Sequence, residues 1–205
     1  MPTEATMRVG YVLAEFPSAT ETFVADEIRG LMRCGASVTV FALREGRGED
    51  APPCPVHYRG EARHLDMRGF WKKYGKLAWD ALKLEWRSPS LVPSAIRNVE
   101  AAFEFARLCR QENIGHLHAH FAFIPTDVAL MIGAMEGLGV SFSAHAWDIY
   151  CAGRTLPTKV ERADLCIVCT DAGRRHLSSL VEEPQRQKIL RIQALTRPGG
   201  ESSNI

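Results

Sequence analysis

The first part of the chain alternates between two patterns of hydrophobic positions. Residues 9–14 form a short apolar run, and apolar side chains then recur at helical spacing, at Val24, Ile28, Leu31 and Met32. Residues 38–43 follow, and they are rich in β-branched and aromatic side chains. A strand, a helix and a strand in such close succession predict a parallel, right-handed βαβ unit.

The start of this helix carries a local signal of its own. Ser18 and Glu21 have the spacing of a capping box, in which a hydroxyl and a carboxylate each accept a hydrogen bond from a free N–H group of the first turn. We therefore expect the helix to open at these residues, and we expect Gly35 to end it.

The rest of the chain continues the alternation. We expect a short strand near Val56 and further strands over 114–120, 140–144, 165–169 and 188–192. We expect helices over 67–87, 94–111, 125–136, 157–162 and 172–180. This order predicts an α/β fold, with one doubly wound, Rossmann-like domain over 1–192 and a mostly parallel sheet of about six or seven strands. Residues 193–205 are polar and turn-rich, and we expect a disordered tail there.

Composition and charge exclude several classes of protein. The 25 Lys and Arg residues nearly balance the 24 Asp and Glu residues, which argues against nucleic-acid binding. No apolar run reaches the roughly 18 residues of a membrane-spanning helix, and the first residues lack the apolar part of a secretory signal. We therefore expect a cytoplasmic protein whose six cysteines are reduced. Cys166 and Cys169 are expected to be core residues, because positions three apart on a strand point to opposite faces and cannot share a metal.

Ligands of doubly wound sheets bind at the carboxyl ends of the strands, so the residues that follow the strands are candidates for a site. The first such turn has no GxGxxG sequence, which argues against a dinucleotide, and we expect no cofactor. It does present hydroxyl and carboxylate groups at a helix N-terminus, on Thr20, Glu21 and Thr22. These groups suit a hydroxyl-rich or anionic ligand, although ordinary helix capping explains them equally well.

Three histidines alternate along one predicted strand. His116, His118 and His120 would share one face of that strand, and His145 would lie at the end of a neighbouring one. Neutral imidazoles on one face can bind zinc or iron, so a metal-dependent hydrolase is one alternative. Because no carboxylate-rich ligand set follows them, we expect at least one to be a structural, hydrogen-bonded histidine and we expect no metal site.

Polar and aromatic residues follow the strand over 140–144. His145, Trp147, Asp148 and Tyr150 are crowded into one short segment, where they could hold a sugar or nucleotide by hydrogen bonding and stacking. The alternative is a buried His145 with Trp147 in the core.

The predicted helix over 66–87 combines tryptophans with basic residues. It contains three of the four tryptophans, and six basic residues stand against three acidic ones. This combination suits the headgroup layer of an anionic membrane, with Trp71, Lys72, Lys73, Lys76 and Trp79 as the membrane-facing residues. An amphipathic helix that packs on the sheet is the alternative.

Four segments in this order resemble the N-terminal half of family 4 glycosyltransferases of the colanic-acid and exopolysaccharide type. They are FPSATETFVADEIRGLMRCGASVTVFALR, HLHAHFA, VSFSAHAWDIY and ADLCIVCTDAGRRHL. The resemblance implies one half of a GT-B fold, in which the N-terminal domain binds the acceptor and the C-terminal domain holds the donor. It also implies retaining, metal-independent transfer from a nucleotide-sugar to a lipid-linked or polysaccharide acceptor, at the cytoplasmic face of the membrane.

The resemblance also suggests roles for individual residues. It implies that His120 and His145 lie near the transferred sugar as catalytic residues, with Asp148 in support. The acceptor would be bound by Thr20, Glu21, Thr22, Phe23, His118 and Trp147. The basic tryptophan helix would face the membrane, as a peripheral contact.

The chain also departs from the family pattern. We expect the C-terminal donor-binding domain to be absent, so that a nucleotide-sugar binds only with a donor domain supplied in trans and the chain alone is inactive. Glu104 and Glu112 have the Glu-x7-Glu spacing of the family's donor site, but they precede the histidine strand, and we interpret this as coincidence. A non-catalytic remnant or interaction module is a further alternative.

Overall fold

The computed structural model describes residues 6–60, 92–151 and 155–192, together with the isolated positions Lys72 and Gly75. The described residues form seven strands: β1 (Arg8–Leu13), β2 (Ser37–Ala42), β3 (Val56–Tyr58), β4 (His116–His120), β5 (Gly139–Ala144), β6 (Leu165–Val168) and β7 (Ile189–Arg191). Their helices are α1 (Thr22–Arg33), α2 (Val92–Gln111), α3 (Ile124–Glu136), α4 (Ala146–Tyr150), α5 (Leu156–Arg162), α6 (Asp171–Ser179) and α7 (Glu183–Arg186).

All seven strands join one parallel sheet in the order β3-β2-β1-β4-β5-β6-β7. The chain first runs outward from β1 to β3 and then returns to place β4 on the other side of β1. This reversal is a topological switch point, and ligands of such sheets bind at the carboxyl ends of the strands there. The predicted α/β, doubly wound, Rossmann-like fold is confirmed.

The two faces of the sheet are covered by different helices. Val9, Tyr11 and Leu13 of β1 belong to a buried cluster with Val24 and Ile28 of α1. The alternate residue Val12 belongs to the opposite cluster, which includes buried side chains of α2 and α3. Successive side chains of a strand point to opposite faces, so this alternation follows directly from the sequence pattern.

The same alternation sets the direction of the histidines. Leu117 and Ala119 of β4 lie in the cluster with α2 and α3. His118 and His120 therefore point to the other face, where α1 packs, and both are buried.

The capping box predicted at Ser18 and Glu21 is wrong. α1 begins at Thr22, and Glu21 stands at its N-cap without a side-chain hydrogen bond to the helix. The backbone before the helix pairs with a distant loop: the N–H groups of Gly46 and Gly48 donate hydrogen bonds to the carbonyls of Phe16 and Pro17. That pairing sets the path of the chain before the helix begins.

Other predicted boundaries agree with the structure to within about two residues, but α4 and α7 were not predicted. Short helices of this kind have too few residues to show a helical period. Cys166 is fully buried on β6, whereas Cys169 lies just past the end of that strand and is half-buried.

Most of the basic tryptophan helix lies outside the described residues. Lys72 is a helical, exposed position, while Trp71, Lys73, Lys76 and Trp79 are not described, and neither are residues 193–205. Within the described ranges, no helix combines the length and the apolar character needed to cross a membrane.

Glu104 has a structural contact of its own. It is buried on α2, and its carboxylate accepts a hydrogen bond of 2.8 Å from the backbone N–H of Gly60, just after β3. This contact ties α2 to the edge of the sheet.

Candidate functional site

The predicted catalytic residues meet at the carboxyl ends of β4 and β5. His120 is the last residue of β4, and His145 comes directly after β5. His120 Nδ1 lies 3.5 Å from His145 Nε2, and His120 Nε2 lies 3.3 Å from Glu27 Oε2. His120 is therefore held between a second imidazole and a carboxylate supplied by α1.

Glu27 supplies the carboxylate that faces His120. The Tyr11 hydroxyl donates a hydrogen bond of 2.6 Å to Glu27 Oε1. Burial raises the pKa of Glu27, but its interaction with His120 and the Tyr11 hydrogen bond outweigh burial and lower the pKa to about 2. Burial, followed by the charge of Glu27, raises the pKa of Tyr11. Glu27 is thus ionised and Tyr11 protonated at neutral pH.

His118 is a buried histidine that hydrogen-bonds to β5. Its Nδ1 lies 2.8 Å from Ser141 Oγ and its Nε2 lies 3.2 Å from Ser143 Oγ. His116 Nε2 contacts the same Ser141 hydroxyl at 2.8 Å. Burial and the nearby His120 lower the pKa of His118 to about 3, so it is neutral. The prediction that at least one histidine is structural and hydrogen-bonded fits His116 and His118.

Asp148 joins the two loops that carry the histidines. Its Oδ2 atom accepts hydrogen bonds of 2.9 Å from the backbone N–H groups of His145 and Ala122. Asp148 is buried, so the contacts are shielded from water. Burial and the nearby His120 lower the pKa of His145. Asp148 thus positions His145 relative to β4.

The loop after β4 is braced by a buried lysine. Lys159 of α5 donates hydrogen bonds to the carbonyls of Ala122 (2.8 Å) and Phe123 (3.2 Å), and it pairs with Asp127 at 2.9 Å. Because a buried ammonium group needs several partners, this set holds the loop in one position.

Aromatic side chains surround the histidine pair. The ring of Phe23 is centred 5.7 Å from that of His120 and 5.4 Å from that of His145. Phe23 is 40% exposed, so it forms part of the surface above the pair. Trp147 is 61% exposed and packs against Phe123 with ring centres 4.6 Å apart. The alternative that placed Trp147 in the core is therefore wrong.

The remaining predicted acceptor residues lie at the N-terminus of α1, beside Phe23. Thr20 and Thr22 are exposed, and Glu21 is half-buried. Burial and the nearby Glu15 raise the pKa of Glu21, while the charge of His120 acts in the opposite direction.

The residues after β6 form a separate feature at the same edge of the sheet. Thr170 caps α6 by accepting a hydrogen bond of 3.0 Å from the backbone N–H of Gly173. A shallow cavity of about 520 Å³ lies along α6, lined by Asp171, Arg174, Arg175, Ser178, Ser179 and Arg186. The histidines are not among its lining residues.

Glu27 and Tyr11 are the functional candidates that the sequence analysis missed. Glu27 lies one helical turn after Phe23, so the two side chains share a face of α1. Glu27 lies one position before Ile28, which is fully buried, so it borders the core-facing stripe of α1, but a single charged residue there is equally typical of a solvated face.

The described residues form a Rossmann-like α/β domain of the GT-B type. Among solved structures, the domain resembles Acinetobacter baumannii MurG, with a TM-score of 0.55, 12% identity and coverage of 97% of this chain and 47% of that chain. It also resembles the UDP-GlcNAc 2-epimerase of Methanocaldococcus jannaschii, with a TM-score of 0.53, 8% identity and coverage of 90% and 45%. A third similar structure is a glycosyltransferase from Rickettsia africae ESF-5, with a TM-score of 0.51, 10% identity and coverage of 93% and 43%.

The chain spans less than half the length of these three proteins. At such low identities the likeness establishes the fold alone. No protein-family model and no curated protein matches the sequence.

Proposed function

We propose that this chain is the acceptor-binding half of a sugar transferase whose nucleotide-sugar donor is held by a second domain. The observation that carries the proposal is the position of His120. It lies between Glu27 and His145, beneath the exposed Phe23, at the switch point of a GT-B-type domain.

The chemistry of the site suits a saccharide. Sugar rings present hydroxyl groups at their edges and C–H groups on their faces. The exposed Glu27 and the half-buried His145 supply acceptors and donors for hydroxyl groups, and exposed aromatic rings at Phe23 and Trp147 supply surfaces for stacking. The hydroxyls of Thr20 and Thr22 and the carboxyl of Glu21 extend this polar surface.

The reaction we propose breaks the bond between the sugar's anomeric carbon and the donor phosphate and forms a bond to an acceptor oxygen. The acceptor hydroxyl loses its proton to the departing donor phosphate, while the ionised Glu27 carboxylate can accept a hydrogen bond from a sugar hydroxyl. Ring N–H groups of His120 and His145 would stabilise negative charge that develops during transfer, and preorganised donors of this kind are a large part of catalysis. We propose retention of configuration, as the family 4 resemblance implies.

The comparisons support a role for a second domain. The three similar proteins are a MurG, a UDP-GlcNAc 2-epimerase and a glycosyltransferase, and each is more than twice as long as the part that this chain matches. We therefore assign the nucleotide-sugar to a second, donor-binding domain.

We further propose that the acceptor is lipid-linked or part of an exopolysaccharide precursor, bound at the inner face of the cytoplasmic membrane. Lys72 is an exposed helical position in the segment predicted to contact lipid. Sedimentation with anionic vesicles tests this part: a chain with Lys72, Lys73 and Lys76 changed to Glu should bind more weakly, and equal binding would refute membrane contact through these residues.

Saccharide binding is the direct test of the site. In saturation-transfer NMR against a panel of oligosaccharides, Phe23→Ala and Trp147→Ala should each weaken binding by about tenfold, because an aromatic stacking surface is lost. Tyr150→Ala is the matched control: Tyr150 is also an exposed aromatic, but its ring packs on His176. Unchanged binding by both site variants would refute the assignment of this surface to the acceptor.

The hydrolase alternative required all four histidines to share a metal. In the structure His116 Nε2 contacts Ser141, and His145 Nε2 approaches His120 from Nδ1, on the opposite side of the ring from Glu27. This geometry favours the transferase proposal over the four-histidine centre.

A further inference from the structure

We propose that Glu27, His118 and His120 form a binding site for a first-row divalent metal ion, with Zn²⁺ as the best-matched cation. The inference goes beyond sugar transfer. It shares Glu27 and His120 with the proposed transfer site, so the transfer step proposed above belongs to the metal-free site. It also reverses the expectation of no metal site, for a structural reason: the missing carboxylate precedes the histidines in the chain and reaches them from α1.

The three side chains converge on one point. One ligand atom from each lies within 4.8 Å of the other two. Glu27 Oε2 is 3.3 Å from His120 Nε2, and Glu27 Oε1 is 3.8 Å from His118 Nε2. Zinc–ligand distances near 2.0 to 2.2 Å in a tetrahedral site place neighbouring ligand atoms about 3.4 Å apart. Small side-chain movements would therefore complete the coordination.

The nitrogen of His120 that faces this point has an unmet bonding requirement. His120 is 2% exposed, and its Nε2 atom has no hydrogen-bond partner among the described residues. Glu27 Oε2 lies 3.3 Å from this nitrogen, and a proton or a metal ion between the two atoms would complete the contact.

Each ligand is already oriented by a partner on its other side. His118 Nδ1 contacts Ser141 Oγ, His120 Nδ1 contacts His145 Nε2, and Tyr11 donates to Glu27 Oε1. Outer partners of this kind set the orientation of metal-binding side chains. Metal binding by His118 Nε2 would replace its contact of 3.2 Å with Ser143 Oγ.

A metal ion could reach the site past the exposed side of Glu27. Both histidines are buried, whereas the side chain of Glu27 is 41% exposed. Two histidines and one carboxylate leave a fourth position for water or a ligand hydroxyl, as in zinc sites with three protein ligands.

The test uses the full chain without a histidine tag, stripped with a chelator. Calorimetric titration with Zn²⁺ should show one equivalent bound, and Co²⁺ should give visible absorption bands typical of a tetrahedral site. Glu27→Gln and His120→Gln should weaken Zn²⁺ binding by at least about 100-fold, and Tyr11→Phe by about tenfold, the scale found for outer-shell partners. Glu27→Gln changes a partly exposed helix position, so it keeps the test valid when a buried-histidine variant fails to fold.

His116→Gln is the matched control, because His116 lies on the same face of β4 and shares Ser141 with His118. It should bind Zn²⁺ like the unaltered chain. Less than about 0.1 equivalent of Zn²⁺ bound, or equal affinity in Glu27→Gln, would overturn the proposal, because either result excludes an ion held by Glu27. Saccharide binding measured in chelator tests the transferase proposal separately.

Discussion

Asp148 shows how much a single carboxylate can organise. One oxygen accepts backbone hydrogen bonds from the loop after β4 and from the loop after β5. His120 directly precedes the first loop, and His145 begins the second. The distance between the two histidines therefore depends on a carboxylate that binds backbone N–H groups and not the imidazole rings.

Removing this carboxylate should destabilise the fold. Asp148→Ala leaves two N–H groups without their acceptor, and we expect the free energy of unfolding to fall by about 2 to 4 kcal/mol in urea titrations. Asp171→Ala is the control, because the Asp171 side chain is 60% exposed and its ion pair with Arg191 spans 3.4 Å. That variant should change stability by less than about 1 kcal/mol. Equal losses in the two variants would contradict the bridging role.

The cysteines should separate by reactivity. Burial, with a smaller contribution from Glu136, raises the pKa of Cys109 to about 12, and burial with Asp148 does the same for Cys166. A raised thiol pKa keeps these groups protonated and unreactive at pH 8. Exposed Cys34 and Cys151 should react with a disulfide reagent first, while Cys109 and Cys166 should react only after unfolding. Rapid modification of all six cysteines in the native protein would contradict the buried positions.

At the residue level the sequence predicted part of the site. Alternation placed His118 and His120 on one face, and their position at a strand end indicated the functional edge. Glu27 was not predicted because a lone carboxylate on an amphipathic helix looks like an ordinary solvated residue. Glu27 becomes a candidate only because β4 places His118 and His120 next to it.

At the element level, α3 and β5 pack closely at Gly133. A Cβ atom at this position would collide with the Val140 side chain and come within 3.0 Å of the Leu138 carbonyl. Both contacts are in the buried layer between helix and sheet, where neighbours have little room to move.

This packing predicts opposite effects of two similar substitutions. Gly133→Ala should lower the free energy of unfolding by about 1 to 3 kcal/mol through overpacking. Gly30→Ala on α1 should raise it by about 0.5 to 1 kcal/mol, because the added Cβ meets only Arg33 at 3.9 Å and Ala is the better helix former. Thermal and urea unfolding of the pair checks the prediction. Stabilisation by Gly133→Ala would show that the contact is not tight.

Whether a helix or strand could be predicted from the sequence depended on its length. Longer helices and buried strands repeat their pattern often enough to be found, whereas α4, with five residues, does not complete two turns. The capping box predicted at Ser18 shows a second limit of prediction from local sequence. The loop before α1 pairs instead with Gly46 and Gly48, which are distant in the sequence.

At the scale of the whole molecule, the order of the strands creates the site. β4 lies between β1 and β5, so Tyr11 pairs in register with His118, and His118 with Ser141. α1 follows β1 and covers the same face, which brings Glu27 over the histidines. The crevice at this switch point is formed by segments that are distant in sequence.

Because we assign the acceptor to this chain and the donor to a second domain, we expect a specific result in transfer assays. Residues 1–205 should show no sugar transfer by themselves, because the proposed function assigns the donor phosphates to a second domain. Addition of a matching, separately produced donor domain should restore transfer from a radiolabelled nucleotide-sugar. His120→Ala in the reconstituted mixture should lower the rate by about 100-fold or more. Robust transfer by the chain alone would refute its assignment as one half of the enzyme.

The sequence by itself determined the described strands, the longer described helices, the face of β4 on which His116, His118 and His120 lie, and the edge of the sheet where we propose that a ligand binds. These are consequences of local periodicity, since side chains repeat every two residues on a strand and every 3.6 on a helix. Only the tertiary structure decided that Glu27 meets His120, that Tyr11 holds Glu27, and that Asp148 joins two loops. Those contacts depend on strand order and helix placement, which arise from packing of the whole chain.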